Sequence, residues 1–220
     1  VGLPVKLHTV MVTYNRLELT KQAIASYLET VAVPYTLWVV DNFSTDGTDR
    51  WLLDNYDYGL SLLAENHYPG YATNRGWSFA PDDATHLQRA DNDFEFLPGW
   101  CDEVERVFRS EKIGQVGLRT GSEEENGQYN VGGNCVIRRE LWDKGLRYDE
   151  RSWPELCEKY GAGWTEDSLI SPEVKKLGYT WARVQTPCIR GISTDDPADP
   201  YYVESWEARG IREWATDRHE

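Results

Sequence analysis

No stretch of this 220-residue chain approaches the roughly 18 uninterrupted apolar residues of a membrane-spanning helix. Its first residues, Val1-Gly2-Leu3-Pro4-Val5-Lys6-Leu7, lack the basic region and long apolar run of a signal peptide. Basic excess is missing too. The 23 Lys and Arg stand against 37 Asp and Glu, a formal net charge of −14, which opposes binding to a nucleic-acid backbone or an anionic membrane. Cysteine is sparse: Cys101, Cys135, Cys157 and Cys188 are scattered without a CxxC pair. That spacing argues against zinc-ribbon and thioredoxin sites and suits thiols in a reducing cytoplasm. There is no internal repeat or low-complexity tract, and no Gly-rich basic loop near the first apolar run to cradle a triphosphate.

What is present reads as one α/β domain with a real core. Short apolar runs alternate with helical periodicity in the first half, the pattern of a mainly parallel sheet. Strands are expected at residues 7–13, 36–40, 60–64 and 85–90. Asn15 with Glu18 forms a variant capping box before a helix whose Leu17, Ile24, Leu28 and Val31 share a face. Further helices are expected around Trp51, Leu52 and Tyr56, over residues 71–80, and after Pro98. In the second half, strands at 113–118 and 131–137 flank a polar, mobile loop at 120–129; helices at 139–144 and 173–177 and a strand at 180–185 follow. A nucleotide-binding half (about 1–97), an acceptor-binding half (about 98–192) and a tail (about 193–220) divide the chain.

Three acidic points carry the chemistry. Asp91 and Asp93 flank Asn92 just past the fourth expected strand, at the carboxyl edge where ligands of α/β sheets bind. Two such carboxylates can share one hard cation, with diphosphate oxygens completing its shell; alone, the motif reads equally as a solvated turn. Arg89 faces phosphate or a carboxylate, or else lies on a sheet edge. Asp41 ends the second strand and accepts from a base or ribose, caps the following turn, or both. Glu166-Asp167 opens a helix after Thr165, where the macrodipole favours negative charge. A carboxylate there can also serve as general base to a hydroxyl.

Seven stretches in order resemble the family 2 glycosyltransferases. They are Val10-Met11-Val12-Thr13-Tyr14-Asn15-Arg16, Val39-Val40-Asp41-Asn42-Phe43-Ser44-Thr45-Asp46-Gly47-Thr48, Gly70-Tyr71-Ala72-Thr73-Asn74-Arg75-Gly76, Asp91-Asn92-Asp93 with Leu97-Pro98-Gly99-Trp100, Gly132-Gly133-Asn134-Cys135-Val136-Ile137-Arg138-Arg139, Tyr148-Asp149-Glu150-Arg151 and Trp164-Thr165-Glu166-Asp167. The resemblance implies the GT-A fold: a Rossmann-like nucleotide-binding half with a mixed, mainly parallel central sheet flanked by helices. It implies that Thr13, Tyr14, Asn15 and Arg16 border the nucleotide, with Asp41, Asn42 and Ser44 at the base and Asn74 and Arg75 beside base and phosphates. Asp91, Asn92 and Asp93 would hold ribose and a divalent metal, Mn²⁺ or Mg²⁺, with Asp93 the more direct ligand. Gly133 and Asn134 would flank donor sugar and acceptor. Asp167 would be the base of an inverting transfer from a nucleotide sugar, a UDP-sugar first, and Glu166 would orient it.

One departure stands out. Many relatives supply a late histidine to the metal, and residues 184–194 contain none; Cys188, Arg190 and Asp195 are the substitutes on offer. His8, His67, His86 and His219 read as packed or solvent-exposed. Trp153 and Trp164 are acceptor-site candidates beside Gly- and Pro-rich loops. Tyr201, Tyr202, Trp206 and Trp214 allow a packed tail helix, a second subunit or a peripheral membrane contact. An aspartyl phosphotransferase, a nucleotidyltransferase and a non-catalytic sugar- or nucleotide-binding module are the rival readings.

Overall fold

The computed structural model describes residues 4–120, 130–193 and 200–211. All but the first residue of the loop expected at 120–129, together with Asp195, Trp214 and His219, lies outside them. In the first strand, β1 (Leu7–Thr13), every residue is buried, and alternation sends neighbouring side chains to opposite faces. Val10 and Val12 join one core cluster; Leu7 and Met11 join the other. A strand buried on both faces must be central in a parallel sheet.

The chain continues through α1 (Leu17–Thr30), β2 (Tyr35–Asp41), α2 (Thr48–Asn55), β3 (Gly59–Leu62), α3 (Tyr68–Trp77) and β4 (His86–Asp91). β1 pairs in parallel with β2 and β4, and β2 with β3. Next come β5 (Phe94–Phe96), α4 (Trp100–Phe108), β6 (Ile113–Gly117), β7 (Cys135–Arg138) and α5 (Arg139–Asp143). The last elements are α6 (Trp153–Tyr160), α7 (Glu166–Lys176), β8 (Thr180–Arg183), β9 (Ile189–Gly191) and α8 (Pro200–Ala208). The seven-stranded sheet runs β3-β2-β1-β4-β7-β6-β8, with β7 antiparallel to both neighbours. A separate ribbon pairs β5 with β9. α1 and α4 cover one face through Tyr27, Trp100 and Phe108. α3, α5 and α7 cover the other through Trp77, Leu141 and Val174.

Several local expectations change. The Asn15–Glu18 capping box does not form: Arg16 is the N-cap residue of α1, and no side chain of its own segment caps the helix. Asp46, from the loop before α2, accepts the Leu17 N–H at 2.9 Å instead. α7 opens at Glu166 after Thr165 as expected, but runs on through Pro172 and absorbs the separate helix expected at 173–177. The short elements α6, β5 and β9 have no counterpart among the expected ones. β4 lies between β1 and β7, so Arg89 is not on a sheet edge.

Candidate active site

The strand order reverses direction between β1 and β4, and the crevice beyond their carboxyl ends is where α/β sheets bind ligands. A cleft of about 320 Å³ opens there. β1 delivers Tyr14 and Arg16 to it, β2 delivers Asn42, and β4 delivers Asp91, Asn92 and Asp93. Trp153 from α6 and Thr165, Glu166 and Asp167 at the start of α7 form the opposite side. The two acidic clusters, one ending a strand and one opening a helix, therefore border a single space.

Beneath the floor lies a polar layer that fixes the backbone. Asp41, 1% exposed, accepts the Thr13 hydroxyl at 3.0 Å, the Ser44 hydroxyl at 2.5 Å and the Ser44 N–H at 2.9 Å. Burial raises its carboxyl above the ordinary range despite those bonds. Asn15 accepts the Thr45 N–H on its side chain and the Asn92 amide on its carbonyl. Asn15, Arg16, Phe43 and Tyr68 all hold positive φ, between 54° and 72°. Such left-handed non-glycine backbone costs on the order of 1–3 kcal/mol per residue and gathers at functional sites. Here it turns the Tyr14–Arg16 segment into the cleft.

The acidic pair is tightly held. Asn134 receives the Asp91 N–H at 3.0 Å and donates to the Asp91 carboxylate at 2.8 Å. Arg16 Nη1 reaches Asp93 at 3.2 Å. Burial first, and then the neighbouring charge of Asp91, push the Asp93 carboxyl above its usual range against the pull of Arg16. Two half-buried, mutually repelling carboxylates fit a hard cation. Among the described residues no cluster of three His, Cys, Asp or Glu side chains gathers for a metal. Two of the three substitutes for a late histidine are engaged elsewhere, and Asp195 lies outside the described residues. Cys188 is 1% exposed in the core, and Arg190 pairs with Glu95 across the ribbon, Nε to Oε2 at 3.0 Å.

On the α7 side, Asp167 accepts the Thr165 hydroxyl and borders the cleft. Glu166 is 1% exposed: it pairs with Arg89 Nη1 at 2.7 Å and accepts the Trp153 indole N–H at 2.6 Å.

Not every candidate reaches the cleft. Thr13, Asn15, Asp41 and Ser44 form the layer below it. Asn74 donates to the Tyr148 carbonyl and to Glu150, each at 2.9 Å, and accepts the Tyr148 N–H at 3.0 Å, so it ties α3 to the segment before α6. Arg75 stacks 4.6 Å above Phe79, away from the cleft lining. Gly133 sits behind Arg89 and Asp91. Trp164, 39% exposed, packs on Tyr160 at 5.5 Å instead of lining the cleft.

Other lining residues were not anticipated. Asn66 and Tyr68 follow β3 at the same sheet edge, and the switch-point rule alone would have found them. α8 forms a wall: Tyr14 donates to Glu204 at 3.0 Å and meets Tyr201 edge-on at 6.3 Å. Arg209 just beyond α8 lies 5.5 Å over Trp153. No periodicity in the tail's mixed sequence pointed to that role.

This arrangement is the GT-A glycosyltransferase fold, with an acidic cluster on each side of the crevice at its switch point. The chain belongs to glycosyl transferase family 2, whose family model matches residues 9–163. Among solved structures, the mannosyltransferase PcManGT from Pyrobaculum calidifontis in complex with GDP-Man and Mn²⁺ superimposes with a TM-score of 0.67 at 16% identity, covering 99% of this chain and 67% of that one. S. aureus TarS 1-349 gives 0.66 at 15% identity, covering 98% and 74%. The complex of TarS 1-349 with UDP-GlcNAc gives 0.64 at 14% identity, covering 91% and 64%. The chain spans only 37% of a longer TarS structure. No curated protein sequence gives a significant match. Among the described residues, no helix is long and apolar enough to cross a membrane.

Proposed function

We propose that the cleft transfers a sugar, with inversion, from a nucleoside-diphosphate sugar to a hydroxyl of a saccharide or glycoconjugate. A UDP-sugar is the first donor to try. The observation that carries this reading is the shared cleft of Asp91 and Asp93 with Asp167.

Asp167 takes the proton of the acceptor hydroxyl, whose oxygen then attacks the sugar carbon from the face opposite the diphosphate. One displacement inverts that carbon. Asp93 and Asp91 would hold Mn²⁺ or Mg²⁺, which when bound supplies positive charge against the departing diphosphate. Arg16, beside Asp93, adds cationic charge at the same end. Asn42, Asn66 and Tyr14 offer hydrogen-bonding groups toward a nucleobase or ribose at the β2 end of the cleft. The relatives solved with GDP-Man and with UDP-GlcNAc support a nucleotide-sugar donor, and Mn²⁺ in one of them supports the cation. A net charge of −14 disfavours a nucleic-acid acceptor.

The test is release of nucleoside diphosphate from a panel of UDP-, GDP-, dTDP- and CMP-sugars, with and without Mn²⁺. One donor class should be consumed. Asp167→Asn should lower turnover by about 10²–10⁴-fold, the usual contribution of a general base, while calorimetric affinity for the donor's nucleoside diphosphate stays unchanged. Absence of any donor consumption, or full turnover in Asp167→Asn, would defeat the assignment.

A further inference from the structure

Arg89 lies on β4 two residues before Asp91, in the middle of the sheet, and is only 4% exposed. Its guanidinium spans two carboxylates: Nε reaches Asp91 at 3.2 Å, and Nη1 reaches Glu166 at 2.7 Å. The surroundings are shaped to this bridge. The Tyr148 ring lies 5.1 Å from the guanidinium carbon. At Gly133 an added Cβ would come within 2.9 Å of Arg89 Nη2 and 3.1 Å of Asp91 Oδ2.

A buried ion pair is seldom more stabilising than packed apolar groups of the same volume. Stability alone therefore gives no reason for an arginine here. The two groups it joins do. Asp91 belongs to the donor side of the cleft, and Glu166 is the residue next to Asp167 in the first turn of α7. The second Glu166 oxygen is taken by Trp153 from the cleft wall, so Arg89 and Trp153 together fix where that turn sits.

We propose that Arg89 is a positioning residue, a buried two-pronged bridge that sets Asp167 at a fixed distance from the diphosphate-binding carboxylates. The bridge rests on the reading of Asp167 as base. Its planar fork matters as well as its charge, because a lysine ammonium is a point charge that cannot span two carboxylates in fixed geometry.

Three variants of the full chain test this. Arg89→Met leaves the Glu166 charge buried without its partner and should lower Tm by on the order of 10 °C. The charge-balanced Arg89→Met/Glu166→Gln keeps a hydrogen-bonding group for Trp153 and should recover most of that loss. In this folded double variant, amide deuterium exchange at residues 168–170 should accelerate at least about tenfold, because α7 loses its anchor. Nucleoside-diphosphate release should fall about 10²-fold in kcat with donor KM within about threefold, the signature of a misplaced reacting group. Arg89→Lys should show the same split between kcat and KM with near-normal Tm.

Unchanged exchange in α7 of the double variant, or full turnover in either the double variant or Arg89→Lys, would overturn the bridge. If wild-type protein consumes no sugar nucleotide, the proposed function fails, while the exchange comparison still decides whether Arg89 anchors α7.

Discussion

Asp167 and Glu166 are adjacent in sequence and opposite in circumstance. Both line the cleft, but Asp167 is partly open while Glu166 is buried against Arg89 and Trp153. Sequence spacing located the pair, because a carboxylate pair opening a helix is recognisable, but it did not separate their surroundings. The same limit applies to Asp41 and Asn74. Each sits inside a matching motif, yet their oxygens and amides are committed to neighbouring backbone and side chains. Which partner a buried polar group finds is a tertiary fact. Arg89 illustrates it best: its polarity was conspicuous, and only the fold chose between phosphate, carboxylate and edge.

A second consequence at this scale concerns acid. His86 is 1% exposed, its ring lies 4.5 Å from Phe108, and burial followed by the charge of Arg138 depresses its pKa to about 3. An unfolded histidine titrates near 6.5. Between about pH 6.5 and pH 3 the unfolded chain therefore binds a proton that the folded chain refuses. Stability is full above that window and falls as pH drops through it, by up to about 1.4 kcal/mol per pH unit. His86→Gln should flatten this part of the profile, as read from urea midpoints between pH 4 and pH 8.

Among the elements, those with a strong period were legible. β1 and β2 are largely apolar runs closed by polar residues at the sheet's carboxyl edge, and these strands and β4 were each expected within a residue of their observed bounds. The sequence divides α7 into a turn opening at Glu166 and a helix at 173–177, because proline normally ends or opens a helix. Pro172 instead lies inside it, next to Ser171, whose hydroxyl donates to Gln115 of β6 at 2.8 Å. α6 was missed although Ser152 and Glu155 form a complete capping box. The box expected at Asn15 fails because the cap is supplied from another segment. Asp46 accepts from Leu17 at 2.9 Å and from the Thr48 N–H and hydroxyl at 3.0 and 2.6 Å, serving α1 and α2 together. Asp46→Ala should therefore cost more than a single cap, about 2 kcal/mol. Thermal unfolding would read this as a fall of roughly 4–8 °C.

At the scale of the molecule, the alternation of apolar runs and helical stretches specified the layered architecture, and the acidic motifs specified which edge of the sheet to examine. The tail did not announce itself. α8 and the residue after it enclose the cleft through contacts with Tyr14, 190 residues away, and with Trp153 of α6, and nothing local encodes them. Deleting residues from 194 onward should raise the donor KM and leave the main sheet's cooperative unfolding intact, as separate kinetic and circular-dichroism measurements would show. A truncated chain with unchanged donor KM would assign α8 to packing alone.

The four thiols turn this division into a clock. Cys101, Cys135 and Cys188 are buried, and burial pushes Cys101 to about 11 and Cys188 to about 12. As thiols rather than thiolates they are poor nucleophiles. Cys157 is only partly covered and points its sulfur at the carbonyls of Trp164 and Arg209, beside the α8 wall. A chromogenic disulfide reagent should therefore modify the native protein in two separated phases. The first equivalent should react as the tail detaches from α6, and the other three only as fast as the whole sheet comes apart.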